Sequence, residues 1–121
     1  MEEPEITENE PGYEVLKIAD LAEYSVEKRV RKRLFLSDHI VSEVVFYEPG
    51  QQTVEHHHPR QDEIFLVLEG RGTSTFGKEE VRVEASSMIF VPANLKHGVK
   101  VDDDSRLVLL FFKGPGRPGR G

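Results

Sequence analysis

Apolar and polar residues alternate over short stretches along most of the chain, with the period of two that half-buried β-strands show. In residues 80–84, three charged residues alternate with two valines, so one face of this strand is predicted to be buried and the other wet. Turn residues separate such stretches about every 8–12 residues. The nine predicted strands are residues 29–36, 40–47, 53–57, 63–68, 71–76, 80–84, 87–91, 98–101 and 106–112. This spacing predicts an all-β sandwich, jelly roll or barrel.

The two ends of the chain differ from this pattern. Residues 1–12 hold five Glu, no basic residue and few apolar groups, so we expect a disordered acidic arm. Residues 15–24 are the only stretch with helical character, and they predict a short N-terminal helical or extended segment. Residues 114–121, GPGRPGRG, are predicted to be a flexible tail. Residues 13–113 then form one domain, a size that suits a single core.

Two predicted strands are apolar on both faces, at residues 64–68 and 107–112. A strand of this kind needs a cover on its outer side as well as a core on its inner side. The N-terminal segment or a partner subunit could supply that cover. We favour a symmetric homodimer, because two-fold dimers are the commonest oligomers.

Charge and composition exclude several classes of function. The chain has a formal net charge of −6, of which residues 13–112 contribute −4, and this argues against general nucleic-acid binding. The basic run at residues 28–33 is expected to meet acidic surface groups, although one of its arginines could instead turn into the barrel and bind an anionic substrate. No apolar run approaches the roughly 20 residues that span a membrane, and no signal peptide is visible. With no cysteine, the chain fits the reducing cytoplasm, and any metal must be bound by nitrogen and oxygen.

Four side chains are predicted to point into one chamber. His56 and His58 share a strand face, because they lie two residues apart. Glu63 shares its face with Phe65 and opens the next strand, at the rim of an apolar interior. His97 would reach the same interior from a third strand. An ionised carboxylate there is costly unless it is paired or metal-bound, and neutral imidazoles would complete the shell of a cation.

Other histidines in the chain are given no role in this chamber. His57 points to the opposite face from its two neighbours, and it is predicted to lie at the surface or in an interface. His39 follows a Ser-Asp pair and is predicted to be a turn residue. A run of three histidines alone could also bind metal only adventitiously, so the case for a metal rests on the added Glu63 and His97.

Five residues, from Gly50 to Gly70, have a spacing that closely resembles the first motif of the cupin superfamily. Five residues separate Gly50 from His56, one separates His56 from His58, four lie before Glu63 and six before Gly70. The second cupin motif is matched only at Pro92 and His97. Three of its positions differ: Ser86 and Asn94 stand where the motif has Gly, and Val101 stands where it has Asn. The change at Val101 removes an amide from that wall.

The resemblance implies a double-stranded β-helix, the jelly-roll barrel of cupins. It also implies that His56, His58, Glu63 and His97 are ligands of one divalent transition metal, for which cupins use Mn, Fe, Ni, Co, Cu or Zn. Three imidazoles and one carboxylate would leave about two positions of an octahedral ion for substrate or dioxygen.

The resemblance leaves several functions open. A small metal-dependent enzyme with dioxygenase-type oxidoreductase chemistry on a small organic molecule is the leading interpretation. Isomerisation, decarboxylation and lyase reactions use the same shell, and a non-catalytic ligand-binding or sensory module is the alternative. No catalytic acid or base is identified, because Tyr47, Arg60 and Gln61 near the motif each have a structural explanation.

Overall fold

The computed structural model describes residues 12–117 and shows an all-β double-stranded β-helix, so the predicted fold class is confirmed. Expectations for residues 1–11 and 118–121 lie outside the described residues. The strands within the described part are β1 (Val30–Leu36), β2 (Val41–Tyr47), β3 (Gln52–His56), β4 (Asp62–Phe76), β5 (Glu79–Glu84), β6 (Met88–Val91), β7 (His97–Val101) and β8 (Leu107–Gly114). None of the helical segments in residues 12–117 has the length and apolarity to cross a membrane.

The strands form two antiparallel sheets that share β4. The first half of β4 pairs with β8 on one side and β6 on the other, and β8 continues through β2 to β1. The second half of β4 pairs with β7 and β5, and β7 continues to β3. Because one strand crosses between the sheets, they curl around a common interior.

The predicted separation of strands 63–68 and 71–76 by a turn at residues 69 and 70 is wrong, because β4 is one continuous strand of 15 residues. Its pairing with β8 shifts register between Val67 and Glu69, a bulge that bends the strand from one sheet into the other. Gly70 follows with a φ of +90°, and a Cβ there would lie 1.7 Å from the carbonyl oxygen of Arg106. The glycine was recognised in the sequence, but it permits a bend and not a reversal.

Other boundaries shift by one or two residues at most, except in the N-terminal segment. There the helical region is only a four-residue 3₁₀ turn, Ile18–Leu21, and the rest of residues 15–24 is irregular. Residues beyond β8 turn back toward the loop between β1 and β2, where the Gly116 amide donates to the Asp38 carbonyl at 3.0 Å.

Alternate residues of the strands face the interior, as the sequence pattern predicts. The buried core between the sheets consists of Val45, Tyr47, Val67, Val83, Val99, Val101, Leu107 and Leu109. In β7, for example, His97, Val99 and Val101 are buried whereas Lys100 is exposed. The interior is therefore apolar around the position where His97 enters it.

The outer faces of β2 and β8 are covered by the N-terminal segment. Val44, Phe46 and Val108 are buried under it, and the ring of Tyr24 packs edge-on against Phe46 at 5.5 Å between centroids. The Arg106 guanidinium lies 3.9 Å above the Tyr24 ring. The sequence allowed either the N-terminal segment or a partner subunit as the cover of these strands, and the N-terminal segment covers this part of them.

A second part of this outer face stays exposed. Phe90 and Phe112 flank Ile64 across adjacent strands, and Met88 lies next to them on β6. Met88 is 67% and Phe90 60% exposed. We call Ile64, Met88, Phe90 and Phe112 the outer apolar patch.

Candidate metal centre

Four side chains from three strands and one loop meet at one end of the barrel interior. His56 ends β3, His97 begins β7, and these two residues are cross-strand partners. Glu63 is the second residue of β4, and it is buried, with 2% of its surface exposed. The structure therefore brings together all four residues that the sequence selected.

His58 reaches the centre from a loop and not from a strand. β3 ends at His56, so the strand alternation used to place His58 does not extend to it. Its position is set instead by a backbone hydrogen bond, in which the Asn94 amide donates to the His58 carbonyl at 2.9 Å. His57 between them is exposed, as predicted, and His39 lies exposed in the bend after β1.

The three imidazoles are close enough to share one ion. Each offers a nitrogen, and these atoms lie within 4.8 Å of one another. Oε2 of Glu63 is 3.1 Å from Nε2 of His97 and 3.6 Å from Nε2 of His58.

Hydrogen bonds on the outer side of two rings fix which nitrogen faces the centre. Nδ1 of His97 lies 2.8 Å from the Leu95 carbonyl oxygen, and Nδ1 of His56 lies 3.0 Å from that of Val54. A carbonyl only accepts, so in both neutral rings Nδ1 carries the proton and Nε2 presents a lone pair. Metal-binding histidines are commonly oriented by such backbone partners.

The inward atoms of this cluster have no partner among the described residues. Nε2 of His58, Nε2 of His97 and Oε2 of Glu63 are buried and make no hydrogen bond of acceptable geometry. Leaving three such atoms unsatisfied is costly in an apolar interior. A cation between them would satisfy all three, so the donor set fits a divalent transition metal with nitrogen and oxygen ligands.

The charged groups of the site shift one another's pKa values. Burial alone would raise the pKa of Glu63, but the His97 imidazole and the Lys113 ammonium hold it below its usual value. Burial acts in the opposite direction on His97 and lowers its pKa, yet the contacts of His97 with Glu63 and Leu95 raise the pKa overall. For His58, burial and then Lys113 lower the pKa, which favours the neutral imidazole that can bind a metal.

Two small cavities adjoin the cluster. One has a volume of about 20 Å³, counted as the space that the centre of a water molecule can occupy. It touches His56 and His97 and is otherwise lined mainly by apolar side chains such as Phe65 and Leu109. The other, of about 40 Å³, touches His56 and Glu63 and is lined by charged groups: Arg29, Arg31, Glu43 and Lys113. We call this second space the charged cavity.

Sequence reasoning gave no role to Tyr47 and Lys113, which lie at the site. Tyr47 lines both cavities, and its hydroxyl lies 2.9 Å from Oγ1 of Thr53. Lys113 is the cross-strand partner of Glu63, on β8. Alternation along residues 107–113 would have placed Lys113 on the inner face with Leu109, but the register between β4 and β8 is not visible in the sequence.

The departures from the second cupin motif have a structural explanation. Ser86 has a φ of +80° and Asn94 a φ of +76°, so both adopt the left-handed conformation for which glycine is favoured. Val101, at the third departure, is fully buried in the core. The backbone of the motif is thus kept at two positions, and an apolar wall replaces the amide at the third.

With the barrel and its histidine cluster described, the chain can be placed in a family. Residues 43–113 match the cupin domain, and the chain belongs to the cupin family. The matched residues run from β2 to β8 and include all four side chains of the centre.

Individual proteins resemble the chain in sequence or in fold. A curated relative, an uncharacterised protein of Streptomyces coelicolor, is 35% identical over 52 residues, which cover 42% of this chain and 50% of that protein. The solved structure of TT1209 from Thermus thermophilus has a TM-score of 0.79 and 29% identity, covering 85% of this chain and 98% of that one. A double-stranded β-helix protein from Klebsiella pneumoniae has a TM-score of 0.81 at 16% identity, covering 89% and 95%, and shows the fold alone. The matches span about half the length of the first curated relatives.

Proposed function

We propose that this cupin is a metal-dependent enzyme acting on a small organic molecule, with dioxygenase-type oxidation as the reaction. In this proposal His56, His58, Glu63 and His97 bind one divalent ion, of Mn, Fe, Ni, Co, Cu or Zn. The observation that carries it is that three buried ligand atoms, without a partner in the described part of the chain, converge on one point beside two cavities.

Access to the centre supports catalysis over a structural role for the metal. The charged cavity is bordered by Arg31, whose side chain is 57% exposed and so lies between the cavity and solvent. A structural zinc site is closed by four protein ligands and needs no such access. When bound, a transition ion at this point would supply a Lewis acid and, for the redox-active metals, an electron carrier.

The apolar cavity supports dioxygen as a co-substrate. Its volume of about 20 Å³ is enough for one small molecule. A water there would need two or more polar partners. Apart from the two histidine rings, the polar side chains of the lining are Tyr47 and Thr53, whose hydroxyls already bond each other. An apolar diatomic gas needs no polar partner, and the cavity adjoins the His56 and His97 rings.

Tyr47 is the side chain we propose as proton donor to the bound substrate. Burial raises its pKa above the ordinary value, although its hydrogen bond with Thr53 acts in the opposite direction. The phenol therefore stays protonated at neutral pH, with its hydroxyl at the boundary of both cavities.

The test is oxygen consumption by untagged protein loaded with each metal in turn. A panel of small hydroxylated and carboxylated compounds is added, and dissolved oxygen and products are followed together. Substrate-dependent oxygen uptake that disappears in His58→Ala but persists in His57→Ala supports the proposal. Absence of uptake with every metal and compound, in protein shown to hold metal, counts against the oxidative reaction.

A metal-assisted isomerase, decarboxylase or lyase is the second candidate. The observation in its favour is that the Tyr47 hydroxyl and the Lys113 ammonium, both able to move protons, line the same charged cavity. Conversion of a compound at the same rate without oxygen would select this candidate. A compound that raises the melting temperature but is recovered unchanged would instead indicate a ligand-binding or sensory module.

We also propose that two copies associate through the outer apolar patch. Its four large side chains are continuous across three strands, and none of them is charged. Apolar surfaces of this kind mark sites of association. Sedimentation of the wild type as a dimer, and of Phe90→Glu as a folded monomer, would support this. A monomeric wild type at high concentration would contradict it.

A further inference from the structure

The charged cavity carries an excess of positive charge. Of the charged side chains that line it, Arg29, Arg31 and Lys113 are cationic, and Glu43 and Glu63 are carboxylates. The cavity therefore has one net positive charge with neutral histidines, and a bound divalent ion would raise it to three. This sign is opposite to that of residues 13–112, whose formal charge is −4.

Two of the three cations are held in place by one buried carboxylate. Glu43, 8% exposed, accepts from Nε of Arg31 at 3.0 Å and from Nζ of Lys113 at 3.4 Å. These bonds fix the positions of both cations but neutralise only part of their charge. Glu43 is thus a positioning residue, and it holds Lys113 directly across from Glu63.

Arg29 differs from Arg31 and Lys113 in its contacts. Within residues 12–117 its side chain makes no hydrogen bond or ion pair, yet it lines the cavity near Tyr47. An arginine has five N–H donors arranged as a planar fork that matches a carboxylate. Arg29 is half-buried, and its unused donors are ready to pair with an anionic group of a ligand.

We propose that Arg29, supported by Arg31 and Lys113, binds the carboxylate of an anionic substrate while another oxygen of that substrate approaches the histidine cluster. This inference rests on the proposed function and narrows its substrate class to small carboxylic acids. The 40 Å³ of the cavity has room for about two or three waters, which is the space a carboxylate group takes.

The sequence offers a matched control on β1, the strand that follows Arg29. Arg33 carries the same charge on β1 and lies two alternations further along, but it does not line the cavity and is exposed. Arg29→Gln and Arg33→Gln therefore change the net charge equally, and only the first removes the proposed contact. Arg29→Lys keeps the charge and loses the fork.

The experiment is calorimetric titration of metal-loaded protein with glycolate and with its neutral isostere glycolamide. Glycolate is expected to bind more tightly than glycolamide. Arg29→Gln is expected to lower the affinity for glycolate by about tenfold or more, and Arg29→Lys to lower it by less. Arg33→Gln should change it less than about twofold. Metal stoichiometry and far-UV circular dichroism, measured on the same samples, are expected to be unchanged in every variant.

The outcomes separate this inference from the proposed function. The carboxylate inference is overturned if the protein holds metal but glycolate fails to bind or binds no better than glycolamide. It is also overturned if both glutamine variants lower the affinity for glycolate equally. If the protein holds no metal, the proposed function fails. In that case titration of metal-free wild type and Arg29→Gln with glycolate still tests the cavity, and equal affinities would overturn the inference.

Discussion

Nε2 of His97 lies 3.1 Å from Oε2 of Glu63, and neither atom makes a well-formed hydrogen bond with any residue in the range 12–117. The two residues come from strands β7 and β4, which pair in one sheet further along, and both side chains are almost fully buried. Because Nδ1 of His97 donates to the Leu95 carbonyl, the lone pair on Nε2 faces a carboxylate oxygen that also carries lone pairs. Two such atoms facing each other require either a proton or a cation between them.

Replacement of Glu63 by glutamine tests the anionic member of the centre. We expect metal affinity to fall by at least about tenfold, the loss typical when even an outer partner of a metal ligand is removed. The fold should persist, because the amide has the same shape. Calorimetric titration with metal measures the affinity, and circular dichroism checks the fold.

The control for this variant is Glu69→Gln, on the exposed side of the same strand. It changes the net charge equally and should leave metal affinity unaltered. A Glu63→Gln protein that fails to fold, beside a folded Glu69→Gln, would show that Glu63 is needed for the barrel itself.

The contribution of His97 to stability should depend on pH in opposite directions without metal and with metal bound. Without metal, the raised pKa of His97 adds stability that is fully present below its unfolded value of 6.5 and is lost as pH rises through the folded value. The lowered pKa of Glu63 adds stability above its unfolded value of 4.5 that is lost as pH falls through the folded value. The metal-free pair therefore contributes most between these two values.

The corresponding measurement is urea unfolding of wild type and His97→Gln at about pH 6 and pH 8. In metal-free protein the variant should lose more stability at the lower pH. In metal-loaded protein it should lose more at the higher pH, because the imidazole must be neutral to bind the ion. The same sign of change in both forms would contradict the assignment of His97 as a ligand.

Gly70 should tolerate no side chain. A Cβ there would lie 1.7 Å from the Arg106 carbonyl oxygen, and the φ of +90° is strained for other residues. Gly70→Ala is expected to cost about 3 kcal/mol or more in the free energy of unfolding. Gly77→Ala is the matched control, since Gly77 has a φ of +65° but no atom lies within 4 Å of the place a Cβ would take. It should cost only about 1 kcal/mol, and an equal loss in both would mean that the bend in β4 can relax.

Asn94 should be replaceable by glycine but not by valine. Its φ of +76° is tolerated by asparagine, is free for glycine and is strongly disfavoured for a β-branched residue. Because the Asn94 amide holds the His58 carbonyl, we expect Asn94→Val to weaken metal binding as well as stability. Asn94→Gly should keep both. Metal titration of the two variants decides this, and equal affinities would show that the loop does not position His58.

Much of the barrel could be predicted from local sequence, because alternation fixes which side chains face inward. Glu63, Phe65 and Val67 are buried on the inner face, as that pattern requires. Long-range register could not be predicted in this way. The β4 bend was interpreted as a turn, since Gly70 suits both, and the difference lies in the distant Arg106 carbonyl.

The same limit applies to the centre. The spacing of His56, His58 and Glu63 selected the residues, but His58 is positioned by the distant Asn94 and not by strand alternation. The basic run at residues 28–33 suggested one inward arginine without identifying it. The register of β1 and β2 would pair Glu43 with Arg33, and only the side-chain positions show that Arg31 is its ion-pair partner. They also leave Arg29 in the cavity without an ion pair among the described residues.

The most direct test of the central claim is the metal content of untagged protein measured by mass spectrometry, for wild type, His58→Ala and His57→Ala. His57 is exposed beside the cluster, so its variant controls for adventitious binding by a histidine run. We predict about one transition-metal ion per chain in wild type and His57→Ala, with a large loss in His58→Ala. Metal at background level in the wild type after loading, or an equal loss in both variants, would contradict the account.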